Sequence, residues 1–285
     1  MTGDGGPGRH RSLGELVASL PEGRRTVLAV SPHLDDAAFS AGATLAALAA
    51  AGVDVHVHTP FAGVPEGRLS PIAATIHAAA GLPASGDAVE VRRAEDAAAM
   101  ATLGASWDHG DALDVIYRRD EGGAWRCTEL WSPFGIDPGA DQPLVRAVGS
   151  NLDRLLTSRA PGLVLTCAAL GHHVDHRITR LAVLEAAASR GVAVLLWEDL
   201  PYGLWVDAAD EVPSAAPLAV LSAPPAWDGK IRAIAAYRSQ VSSFWPEGSG
   251  TDWAQLLRSH GERRGDGAAA ERFWPGDPEA DANNG

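Results

Sequence analysis

The chain has 285 residues, 46% of them hydrophobic, which is ample for a buried core and excludes fibrous, disordered and small disulfide-scaffold proteins. Its 23 basic and 36 acidic side chains leave a net charge of −13, which repels a phosphate backbone, so nucleic acid is not expected as a partner. Lys230 is the only lysine and therefore the one candidate for lysine chemistry, while Cys127 and Cys167 stand apart and encode neither a disulfide framework nor a cysteine-rich zinc site.

In chain order, residues 1–25 are expected to be a flexible segment carrying a first helix. Residues 26–31 form a short apolar run, the expected first strand of the sheet. The Ala- and Leu-rich stretch 37–51, closed by Gly52, is a predicted helix, and the alternation over 53–58 a predicted strand, which completes a βαβ unit. Four prolines make 60–86 a long irregular connection before a helix over 88–103 that ends at Gly104. Residues 108–143 break into Gly, Pro, charge and tryptophan and are expected to form a lid, with Trp107, Trp125 and Trp131 placed to stack on a sugar ring or an acyl chain. Beyond it come a helix over 144–158, a buried strand over 162–167, a helix over 174–190, an apolar strand over 192–197 and a helix over 230–241.

This alternation predicts an α/β fold: a Rossmann-like, mostly parallel sheet with helices on both faces, irregular lid insertions, and an active site at the carboxyl ends of the strands. One catalytic domain is expected over 26–274, followed by a disordered tail over 275–285. No apolar run approaches the roughly 20 residues of a membrane span and the N-terminal stretch lacks a signal-peptide core. A cytoplasmic protein with no membrane partner is the expectation.

Two clusters carry the chemistry. Ser31-Pro32-His33-Leu34-Asp35-Asp36 follows the first predicted strand without a glycine from 31 to 41, unlike a dinucleotide-binding turn. It offers one imidazole and two carboxylates, one of which can hold a metal while the other takes a proton from metal-activated water. Gly171-His172-His173-Val174-Asp175-His176 follows a second buried strand and opens a helix, whose spacing lets His173 and His176 face one site. A His/Asp pair from one strand end plus a His from another makes an N,N,O set with an open position, as in catalytic zinc centres. Other histidines read as bland: His56 and His58 alternate on a strand and are expected to face solvent, and His10, His77, His109 and His260 lack a partner pattern. Arg24 with Arg25 and Arg263 with Arg264 read as solvated pairs, and Ser239 lacks a nucleophile-elbow context.

PHLDD and HHVDH together resemble the two signatures of the LmbE-like (PIG-L) zinc-dependent de-N-acetylase family. Supporting segments are RRAE at 92–95, LDVIYR at 113–118, WEDLPY at 197–202, YRSQ at 237–240 and ERFW at 271–274, so the resemblance spans about residues 26 to 274. It implies one Zn2+ per chain on His33, Asp36 and His176, with Asp35 as general base. His173 becomes oxyanion partner and general acid, Asp175 orients it and favours its charged form, and Arg92 and Asp114 contact substrate. Ala37 stands where the family commonly has Glu, and His172, where Gly or an aromatic residue is common, reads as a bystander. The implied activity is a zinc-dependent hydrolase removing an N-acetyl or longer N-acyl group from an amino sugar or an amino-sugar-bearing natural product, similar to antibiotic-pathway deacetylases. The alternatives are an amidase on thiol-sugar (mycothiol-type) conjugates and a non-catalytic carbohydrate-binding α/β module. The expected partner is a small-molecule N-acyl amino sugar.

Overall fold

A computed structural model of the chain describes residues 9–206, 212, 216–246 and 248–277. The expectations for residues 1–8 and 278–285 lie outside the described residues, but the disordered tail expected from 275 is contradicted at its start, where Pro275 pairs with Leu195 in the sheet and the Gly276 amide donates to the Val194 carbonyl (2.9 Å). The short β-branched and apolar runs become strands β2 (Thr26–Val30), β3 (Asp54–Thr59), β5 (Leu163–Cys167) and β6 (Ala193–Trp197). The Ala- and Leu-rich stretches become helices α2 (Asp36–Ala50), α4 (Asp87–Leu103), α5 (Gln142–Arg159) and α6 (Val174–Ala188). With β1 (Arg9–Ser12), β4 (Ser106–His109), β7 (Leu218–Leu221) and β8 (Ala270–Pro275), the strands form one sheet ordered β1-β7-β8-β6-β5-β2-β3-β4. Five neighbours, β6-β5-β2-β3-β4, run parallel; β8 runs antiparallel to both β6 and β7.

The sheet is covered on both faces because its central strands are apolar on both sides. One face packs Leu45 and Leu48 of α2, Met100 of α4, and Ile234 and Leu257 of α7 (Pro224–Ile234) and α9 (Trp253–Arg264). The other packs Leu152 and Leu156 of α5 with Ile178 and Val183 of α6. β2 and β5 pair directly, Val30 beside Thr166, but the chain leaves β2 toward β3 and leaves β5 toward β6. Strand order therefore reverses between them, and the loops that follow lie side by side at the crevice where open α/β sheets bind ligands.

Several expectations about elements and burial need correction. The sheet begins before residue 26, with β1 on its edge beside β7. The 60–86 connection contains helix α3 (Pro71–Ala79), started by Ser70, whose hydroxyl accepts from the Ala73 amide, and by Pro71 at its first position. The single helix expected over 230–241 is two, α7 and α8 (Arg238–Phe244), parted at Ala235–Tyr237. Finally, His56 and His58 are buried and both bond the Asp108 carboxylate on the neighbouring strand, so they do not face solvent.

Candidate active site

The loop after β2 is fixed by its own polar groups. Ser31 Oγ donates to the His33 carbonyl (2.7 Å) and accepts from the Ala37 amide (3.0 Å), while the His33 amide donates to Asp36 Oδ2 (2.8 Å). Asp36 is thereby held as the first residue of α2, next to the His33 ring. After β5 the chain passes through left-handed conformations at Ala169, Gly171 and His172 before His173 caps α6, its Nδ1 accepting from the Asp175 amide (3.3 Å). These tight turns deliver His173 and His176 to the same crevice.

Asp36 Oδ2 lies 3.5 Å from His33 Nδ1 and 3.4 Å from His176 Nε2. Those separations match the edge of about 3.3 Å expected between ligands of a tetrahedral zinc with bonds near 2.0 Å. His176 Nε2 is buried without a hydrogen-bond partner among the described residues, whereas its Nδ1 sits 2.8 Å from Asp199 Oδ1. A buried imidazole nitrogen left open toward a carboxylate fits a metal-ion site. His173 joins the group: its ring centroid is 5.0 Å from that of His33 and 5.2 Å from that of His176, and one donor atom from each of the three can be chosen within 4.8 Å of the others. The buried His/Asp group can hold a metal ion.

Asp35 faces the same crevice, its Oδ2 3.7 Å from Arg92 Nη2. Burial, then the adjacent Asp36 charge, push Asp35 up to about 7, while against its own burial the His176 and His33 imidazoles hold Asp36 well below the usual carboxylate range. Two neighbouring carboxylates are thus driven apart, one staying charged and the other able to gain and lose a proton near neutrality. Asp114 lines the cavity with one oxygen 3.8 Å from His33 Nε2.

Asp175 departs from the arrangement implied by the resemblance. Its carboxylate accepts from Arg118 Nη2 (2.6 Å) and the Val115 amide (2.9 Å) and lies 3.1 Å from His33 Nε2; only its backbone amide meets His173. Burial, then the His33 imidazole, hold His173 well below the ordinary imidazole range, so its neutral form is favoured and not the charged one. Two site residues escaped the sequence reading. Asp199 backs His176, and Arg118 pins Asp175; both lie in the WEDLPY and LDVIYR segments, which carried the only available signal.

Above these groups opens a cavity of about 540 Å³ with His33, Asp35, Asp36 and His173 on its floor. Phe39, Phe134, Tyr202 and Phe244 form apolar walls, and Leu130, Trp131 and Trp205 stand at its mouth, 53%, 73% and 64% exposed. Of the three tryptophans expected in a lid, only Trp131 lines it; Trp107 is on β4 and Trp125 is covered by the Arg119 guanidinium.

Residues 28–187 match the model of the PIG-L family, described as GlcNAc-PI de-N-acetylase. The chain belongs to that family. As a PIG-L deacetylase it is an amide-hydrolysing enzyme, and its relatives narrow the group. It is 30% identical over 229 residues to 2'-N-acetylparomamine deacetylase of Streptomyces fradiae, covering 76% of this chain and 74% of that protein. Among solved structures, the zinc-inhibited form of teicoplanin deacetylase Orf2 superposes with a TM-score of 0.80 at 36% identity, over 88% of this chain and 97% of that one. The A40926 pseudoaglycone deacetylase Dbv21 gives 0.75 at 35% identity over the same shares. This PIG-L chain is similar to deacetylases of antibiotic pathways along most of its length.

Proposed function

We propose that this chain is a zinc-dependent deacetylase that removes an N-acetyl, or longer N-acyl, group from an amino sugar carried on an apolar natural-product body. His33, Asp36 and His176 would hold one Zn2+ per chain. Bound there, zinc would lower the pKa of its water toward about 7 and polarise the amide carbonyl. Asp35, beside Asp36 and titrating near neutrality, takes the proton of the attacking water and returns it to the leaving amine. His173, with Nδ1 turned to the α6 backbone, presents its Nε2 side as a neutral donor to the developing oxyanion. Arg92 and Asp114 flank the floor and offer a cation and an acceptor to sugar hydroxyls.

The observation that carries this reading is the open, buried Nε2 of His176 beside Asp36 at the base of a sugar-sized cavity. The apolar mouth favours an amino sugar on a lipophilic or aromatic body over a small, polar thiol-sugar conjugate. The test is acetate release from N-acetylparomamine, from an N-acetylglucosaminyl glycopeptide and from a mycothiol-type conjugate, with zinc-loaded and chelator-stripped protein. Zinc-dependent release is expected, fastest from the glycopeptide. Equal activity in metal-free protein, or none on any N-acyl amino sugar, rejects the proposal.

A further inference from the structure

The geometry points to Asp199 as the positioning residue of the metal site: its carboxylate fixes the His176 imidazole so that Nδ1 carries the proton and Nε2 is the nitrogen turned to the metal. The inference rests on the proposed use of His176 as a ligand. Asp199 is buried at the end of β6 and uses both oxygens, Oδ1 2.8 Å from His176 Nδ1 and Oδ2 accepting from the Leu170 amide (3.1 Å). It therefore joins the ring to the loop that delivers it. The next residue extends the brace, because the Leu200 amide donates to Ser40 Oγ (3.0 Å) on α2, the helix that begins at Asp36. Strand β6, loop β5–α6 and helix α2 are thus locked in mutual register around one imidazole.

Cys167, His176 and Asp199 also have donor atoms within 4.8 Å of one another and at first sight form a metal group of their own. Both Asp199 oxygens are already engaged, and Cys167 Sγ donates to the His176 carbonyl (3.3 Å), so these groups orient His176 and leave its far nitrogen open. A carboxylate behind a ligating imidazole makes it a better donor and sets its tautomer, and losing such a partner typically weakens metal binding about 10–100-fold. An asparagine has one acceptor oxygen and cannot serve both the Leu170 amide and the imidazole N–H.

The experiment compares zinc affinity of the full-length wild type and Asp199→Asn by competition with a chromophoric chelator, and records histidine 15N spectra of the zinc-loaded wild type. The expectation is a 10–100-fold weaker zinc affinity in the variant and, in the wild type, a slowly exchanging His176 Nδ1–H with zinc on Nε2. Affinity within twofold of wild type, or zinc on Nδ1, overturns the inference. The wild-type spectrum decides the matter even if the variant folds poorly. Acetate release by the wild type is a separate readout, so failure of the proposed activity is distinguishable from failure of this one.

Discussion

Asp35 and Asp36 are chain neighbours of one residue type, yet the helix start sends them to different tasks. Asp36 is wedged between two imidazoles, whereas Asp35 faces Arg92 across the cavity floor. Asp35→Ala should therefore keep its zinc and lose turnover by roughly 10²–10⁴-fold, while His33→Ala and His176→Ala should lose the metal as well. Metal content measured beside acetate release separates the two outcomes. A full zinc complement in His176→Ala, or full activity in Asp35→Ala, contradicts the assignment. The two motifs were legible in sequence because residue type and strand-end position coincide there. The burial of His56 and His58 is not readable in sequence because their partner, Asp108, is 52 and 50 residues away and comes alongside only through the β3–β4 pairing. Asp175 was misplaced for a related reason: Arg118 arrives from the segment after β4 and draws the carboxylate away from His173.

Among elements, those whose pattern follows from burial were readable. Strands β2, β3, β5 and β6 and helices α2, α4, α5 and α6 match their apolar runs to within a few residues. Helix α3 was hidden because prolines read as breakers, although Ser70 with Pro71 is a helix-start pair. The α7–α8 break was hidden because periodicity continues through it; Tyr237 is buried there with its hydroxyl on Asp96 (2.6 Å). Helix α9 is held to the end of β6 by a polar clamp, in which Glu198 takes His260 Nε2 (2.9 Å) and two Arg264 nitrogens (2.5 and 3.1 Å). The expectation that Arg263 and Arg264 are both solvated fails at Arg264 for that reason. Against its burial, His260 and Arg264 hold Glu198 down at about 2, from 4.5. A lowered carboxylate gives stability that is present above its unfolded value and lost as pH falls through the folded one. Wild type should lose stability between pH about 4.5 and 2 more steeply than Glu198→Gln, which starts less stable at neutrality. Urea unfolding across that range measures both slopes, and parallel curves refute the clamp.

On the scale of the whole molecule, the sheet brings a polar floor and an apolar mouth into one opening. Exposed aromatic side chains gathered at a pocket rim are a binding surface more often than an accident of packing. Trp131→Ala and Trp205→Ala should each raise KM about tenfold for a substrate with a large apolar body and leave kcat, and the KM of a simple N-acetyl glycoside, nearly unchanged. Equal effects on both substrates would place these rings in the fold and not in recognition. Far from the mouth, Lys230 Nζ is 2.6 Å from Glu271 Oε1, and the Glu271 carboxylate also accepts from the Ala43 and Thr44 amides of α2. Lys230→Met should cost on the order of 3–5 kcal/mol in chemical denaturation, because it strands a buried carboxylate.

That ion pair has a practical corollary. The chain's sole lysine is sealed between α2, α7 and β8, with no accessible surface. A reagent that acylates amines finds no accessible side-chain amine on the folded molecule, and every adduct at Lys230 records one opening of the core. The protein carries a single-site chemical clock for its own unfolding, readable by mass spectrometry without any engineered label.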